Sequence, residues 1–119
     1  MAPRTVGRIT SRAAFAEVQR ARARAACGPV RAAFAPVDEA TPGMFPQVGY
    51  AIGRRCGSAV VRNRLRRRAR AVVREQAPSL PRGAFLVRLE PGASTLTAAQ
   101  FRHDLATALH RAGEAADRP

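Results

Sequence analysis

Gly57-Ser58-Ala59-Val60-Val61-Arg62-Asn63-Arg64-Leu65-Arg66-Arg67-Arg68-Ala69-Arg70 is the stretch on which the reading of this chain turns. At about 100° per residue, Val61, Leu65, Ala69 and Val72 fall on one face of a helix expected from about Ser58 to Gln76. That apolar face predicts a helix packed on a folded sheet, not a free basic tail. Its buried side then fixes its outer side, where Arg66, Arg70 and Arg74 stack at i, i+4 and i+8 with Asn63 and Arg67 beside them. Like charges at this spacing cost a helix roughly 0.2 to 0.5 kcal/mol per pair, a cost that phosphates along a groove would offset. Arginine suits the task because its planar fork binds phosphate through two parallel hydrogen bonds and stacks on bases. Asn63 can hydrogen-bond a base edge or a 2′-hydroxyl. An ordinary solvated face mixes signs, whereas this helix sets Glu75 alone against seven arginines.

Upstream, Val48 to Gly53 reads as a strand with Val48, Tyr50 and Ile52 on one face. Asp38 to Pro46, with Thr41-Pro42-Gly43, is a loop of hairpin length. Val30 to Val37 is a further strand, Arg31 and Ala33 alternating against Ala32 and Phe34. Before it, a helix capped by Thr10 or Ser11 is expected to run to about Ala25, carrying Phe15 and Val18 inward and stopped by Gly28-Pro29. Downstream, Pro78 and Pro81 end the arginine helix, and Ala84 to Leu89 is a strand closed by Pro91-Gly92. Thr97 caps a last helix through about Ala112, with Phe101, Leu105, Ala108 and Leu109 inward. The order α-β-β-α-β-α predicts an α+β two-layer sandwich, a small sheet with helices on one side.

A chain of 119 residues suits one domain over 1–119, with an ordered part from about 8 to 112, a basic N-terminal tail and a frayed C-terminal one. Only 5% of residues are aromatic, so the core is expected to be thin. Twenty-one basic residues, all arginine, stand against 8 acids for a net charge of +13. Such a field repels itself and calls for a polyanionic partner. No run of about 18 apolar residues and no signal-type apolar core is present, so a cytoplasmic protein with no membrane partner is expected. The first 26 residues superficially resemble an organelle transit peptide, but they hold a well-placed amphipathic helix. Cys27 and Cys56 are too few for a disulfide framework and are expected as free thiols.

The stretch Gly57 to Arg70 resembles the signature of the bacterial ribonuclease P protein component, a glycine-x-Ala-Val turn leading into an Arg-Asn-Arg helix. Arg8-Ile9 with Phe15 and Val18, Gly49 to Arg55, and Leu86-Val87-Arg88 with Pro91 match the family in the same order, over roughly residues 8 to 112. The resemblance implies an α+β sandwich with a left-handed β-α-β crossover, against the usual preference. It implies that Arg62, Asn63, Arg64, Arg66, Arg67, Arg68 and Arg70 contact a catalytic RNA. It implies also that a cleft between the first helix and the sheet holds the single-stranded 5′ leader of precursor tRNA, with Phe15 and Phe34 stacking on bases and Tyr50 and Arg88 lining it. Phe15 and Phe34 also fall where plain core residues would. Gln19 stands where many relatives carry a second aromatic, so charge is expected to matter more here.

The family's chemistry implies Mg²⁺ held mainly by the RNA, and no metal bound by the protein alone. The sequence agrees that the protein is no catalyst, because Glu17, Asp38, Glu39, Glu75, Glu90 and Asp104 are scattered over different elements. His103 and His110 share a helix face, but no Cys, Asp or Glu completes a metal set at matching spacing. The expected partners are the catalytic RNA and precursor tRNA. A ribosomal or structural RNA-binding protein shares this composition and remains the alternative. A DNA-binding zipper is excluded because Pro78 breaks the helix and no leucine heptads follow Gln76.

Overall fold

Alternation decides the centre of the sheet: in Val30–Pro36 and Gly83–Leu89 successive side chains turn to opposite faces, and most on either face are apolar. In a computed structural model, which describes residues 6–9, 12–36 and 46–116, these two strands lie among elements that follow as β1 (Gly7–Arg8), α1 (Arg12–Arg20), β2 (Ala23–Cys27), β3 (Val30–Pro36), β4 (Gln47–Ile52), α2 (Ala59–Gln76), β5 (Gly83–Leu89) and α3 (Ala98–Ala115). One mixed sheet runs in the order β1-β4-β5-β3-β2. β3 is antiparallel to β5 and β2 to β3, while β4 and β5 are parallel neighbours joined through α2.

The α+β class is the one expected, and two details of the expectation are corrected. The first helix ends at Arg20 rather than near Ala25, and Ala23–Cys27 forms an edge strand paired with β3 from Ala23↔Phe34 to Cys27↔Val30. Alanine favours helix in isolation, but tertiary pairing and the packing of Ala23 and Ala25 into the core override it. Gly28-Pro29 is therefore a hairpin turn rather than a helix stop, with Gly28 at φ +58°, a conformation glycine adopts without strain. Gly7–Arg8, where the expected tail meets the ordered part, pairs in parallel with Gln47–Val48. The cap at Thr10 or Ser11, the last residue of the expected strand, Val37, and residues 38–45 of the expected loop lie outside the described residues.

The second correction concerns the layers. α2 and α3 cover one face of the sheet, where Phe34, Val48, Phe85 and Val87 meet Leu65, Val73, Phe101 and Leu105. α1 lies on the other face, burying Val18 completely against Ala33, Ala84 and Leu86, with Phe15 packed alongside. Helices on one side would have left Leu86 and Ala33 in water. β5, apolar without interruption from Ala84 to Val87, is a strand buried on both faces, and such strands need cover on both. Both cysteines are free; the Cys56 thiol is buried and donates to the Leu89 carbonyl at 3.1 Å.

Phe85 is fully buried at the centre of the sheet, its ring 4.5 Å from that of Phe34. Phe85→Ala should lower the unfolding free energy by about 3–5 kcal/mol, read by denaturant titration. Phe15→Ala should cost distinctly less, because Phe15 is only half-buried.

Candidate nucleic-acid interface

The arginine helix is positioned from its first turn. Gly57 takes φ +139°, and a Cβ there would lie 2.9 Å from Val61 Cγ1, so only glycine lets the chain turn this tightly into α2. Ser58 caps the helix, its Oγ accepting from the Val61 N–H at 3.3 Å. Leu65, Ala69, Val72 and Val73 are buried, which confirms the inward face read from the spacing and adds Val73 to it.

Asn63, Arg64, Arg67, Arg70 and Arg74 are exposed, and Arg62, Arg66 and Arg68 are half-buried along the flanks. The Arg66 guanidinium donates to Asn63 Oδ1 at 3.1 Å, joining two of the expected RNA-contact residues into one polar unit. Among the described residues the buried Arg62 Nε has no hydrogen-bond partner. Arg70 lies over the Tyr50 ring, 5.9 Å from its centroid, within the range of a cation–π contact. Burial pushes the Tyr50 phenol up to about 12, with Arg70 and Arg74 acting in the opposite direction, so the ring beneath Arg70 stays neutral at physiological pH. Glu75, the acid of this helix, is taken by Arg102 of α3. Among the described residues no carboxylate pairs with an arginine of α2.

The opposite face of the sheet carries a second basic surface. On it lies a cleft of about 260 Å³, lined by Arg24, Ala26, Arg31, Ala33, Leu86 and Arg88, of which Ala33 and Leu86 also belong to the cluster that α1 covers. Arg31 and Arg88 are directly opposed across β3 and β5, an arrangement in which like charges destabilise a sheet. Glu90 offsets part of this repulsion through Arg31 at 3.4 Å. Arg24 is tied to the end of α1 by donating to the carbonyls of Ala21, at 2.8 Å, and Gln19.

The four residues expected in the leader cleft separate accordingly. Arg88 lines the cleft, and Phe15 lies on the same face of the sheet, half-buried against the Leu86 cluster. Phe34 and Tyr50 face the other way. Phe34 is 2% exposed, and its ring packs on Phe85 in the main core, so it has no surface to offer a base. Tyr50 belongs to the α2 side. The reason is strand parity: in the β3–β5–β4 ladder Phe34, Phe85 and Val48 share one face, and Ala33, Leu86 and Gly49 the other. Arg24 and Arg31 were missed as cleft residues. Their signal was the alternation on either side of Gly28-Pro29, which places Arg24, Ala26, Arg31 and Ala33 on one face once that segment is read as a hairpin.

The histidines also part. His110 Nε2 sits 2.9 Å from Gln76 Oε1 and helps join α3 to α2. His103 stands beside Asp104 and Cys27, the latter 76 positions away in the chain, a grouping no linear spacing reveals.

The family profile described as Ribonuclease P matches residues 4–113. A ribonuclease P protein component from Nocardioides sp. is 43% identical over 68 residues, 56% of this chain and 58% of that protein. One from Streptomyces avermitilis is 38% identical over 78 residues, 65% and 61% of the respective lengths. The chain thus spans less than two thirds of the length of either relative. Among solved structures, the RNase P protein of Staphylococcus aureus superposes with a TM-score of 0.74 at 18% identity, covering 87% of this chain and 92% of that one, a likeness of fold. With the matched profile extending from before β1 into the last turns of α3, the chain belongs to the ribonuclease P protein family.

Proposed function

We propose that this chain is the protein subunit of ribonuclease P, binding a catalytic RNA and the 5′ leader of precursor tRNA so that the leader is cut away. The observation that carries the reading is α2: a helix anchored on its apolar side whose arginines, among the described residues, meet no carboxylate. Arg62, Asn63, Arg64, Arg66, Arg67, Arg68 and Arg70 would lie along structured RNA, their forks on phosphates and Asn63 on a base edge or 2′-hydroxyl. The cleft on the opposite face of the sheet suits the single-stranded leader. Arg24, Arg31 and Arg88 would neutralise its phosphates, Phe15 would offer a stacking edge, and the alanine floor would admit any base.

The protein's own carboxylates favour assigning the chemistry to RNA. Glu75 is held by Arg102, Glu90 by Arg31, and Asp104 accepts from the Cys27 thiol, so these three form no paired oxygen site of the kind Mg²⁺ takes. Mg²⁺ held by the RNA would supply an activated water and leave a 5′ phosphate on the mature tRNA. The protein's part is to neutralise phosphate charge and to hold the leader in line. No described helix is long and apolar enough to cross a membrane.

Reconstitution tests the reading directly. The chain alone should cleave nothing, and with a bacterial catalytic RNA at near-physiological Mg²⁺ it should promote accurate removal of a 5′ leader from precursor tRNA. Failure to stimulate cleavage, together with co-purification on ribosomal subunits, would favour the structural RNA-binding alternative.

The two surfaces should separate by their readouts. Arg66→Ala with Arg70→Ala should weaken binding to the catalytic RNA and flatten the dependence of log K on log salt by roughly 0.7 to 0.9 per lost phosphate contact. Arg31→Ala with Arg88→Ala should spare that affinity and instead abolish the gain in precursor binding that comes with a longer leader, measured by filter binding of a leader-length series.

A further inference from the structure

We propose that Cys27, His103 and Asp104 form a zinc site that clips the β2–β3 hairpin to the first turns of α3. One donor atom from each lies within 4.8 Å of the other two. The Cys27 Sγ to Asp104 Oδ1 distance is 3.4 Å, and two ligands of one tetrahedral zinc ion stand about 3.4–3.6 Å apart at ordinary bond lengths. His103 is exposed and next to Asp104 on the helix, with a ring nitrogen within 4.8 Å of the other two donors.

The local backbone is shaped for this approach. Cys27 is the last residue of β2, and Gly28 turns the chain at φ +58°. A Cβ on Gly28 would lie 2.6 Å from Asp104 Oδ2, so the absence of a side chain there lets the carboxylate settle beside the thiol. The N-terminal part of α3 is itself held firmly, by the capping box of Thr97 with Gln100 and by Arg102 on Glu75 of α2. Three ligands from two elements therefore meet on rigid supports, leaving one tetrahedral position for water.

The donor set selects the ion. A thiolate, an imidazole and one carboxylate suit Zn²⁺ and its spectroscopic stand-in Co²⁺, whereas Mg²⁺ takes an oxygen shell. As the Sγ–Zn bond forms, the thiol releases to solvent the proton it now shares with Asp104, and thiolate plus carboxylate balance the two charges of the ion. Arg111 lies within electrostatic reach of Cys27 and opposes a cation, so both negative ligands are required. The site is separate from α2 and from the basic cleft, and it does not depend on the RNA-binding reading. Cys56, buried and engaged with the Leu89 carbonyl, is a thiol the ion does not use.

The test uses the untagged full chain, stripped of metal and titrated with Co²⁺ in the absence of RNA. One ion per chain should bind, with thiolate-to-Co²⁺ charge-transfer absorption and the visible bands of a four-coordinate ion. Zn²⁺ should bleach both, and excess Mg²⁺ should leave them. Cys27→Ser should abolish the charge-transfer band and Cys56→Ala should retain it. His103→Ala, a change at an exposed position that leaves the core intact, and Asp104→Asn should each weaken binding at least about tenfold. Zn²⁺ should raise the Tm of the unaltered chain and not that of His103→Ala. Absence of the charge-transfer band, or its persistence at unchanged affinity in Cys27→Ser or His103→Ala, would overturn the proposal.

Discussion

The burial of α2's narrow apolar stripe on the sheet is the interaction from which the rest of the structure follows. Leu65, Ala69 and Val73 are 1%, 0% and 0% exposed. Each large side chain buried in this way contributes about 1.5–3 kcal/mol, against roughly 0.2–0.5 kcal/mol for each like-charge pair on the outer side. Packing wins by a wide margin, so the helix keeps seven arginines on a fixed scaffold before any polyanion arrives. Preorganisation of this kind removes an ordering cost that a disordered basic tail would meet on binding.

Electrostatic strain is then distributed over two surfaces. On one face of the sheet it lies along α2, where Tyr50 beneath Arg70 provides the aromatic support. On the other it lies in the cleft, where Arg31 opposes Arg88 and Arg24 is held by the end of α1. Acids are few, and two of them fasten the fold: Glu75 joins α2 to α3, and Glu90, just past β5, holds Arg31 of β3. Where acids serve structure, cationic surfaces are left for phosphate.

The same strand parity that buries the core separates the two surfaces. Residues one apart in β3, β4 and β5 look in opposite directions, so Phe34 and Ala33, or Tyr50 and Gly49, cannot serve the same site. A family resemblance can place an aromatic in the right strand without telling which face it serves. Phe34 shows the consequence, being a core residue that stacks on Phe85 and not on a base.

Sequence by itself determined the α+β class, the helix from Ser58 to Gln76 with its inward and outward faces, the capped last helix and the arginine-rich character of that outer face. Each of these rests on local periodicity, capping chemistry or charge, which act between residues close in the chain. Tertiary structure alone decided that Ala23–Cys27 is a strand, that α1 covers the far face, that Phe34 and Tyr50 leave the cleft, and that Cys27 meets His103 and Asp104. The helix preference of an alanine-rich segment is worth only tenths of a kcal/mol per residue, so pairing with β3 and packing on α3 override it, and contacts between residues dozens of positions apart leave no mark in any local spacing.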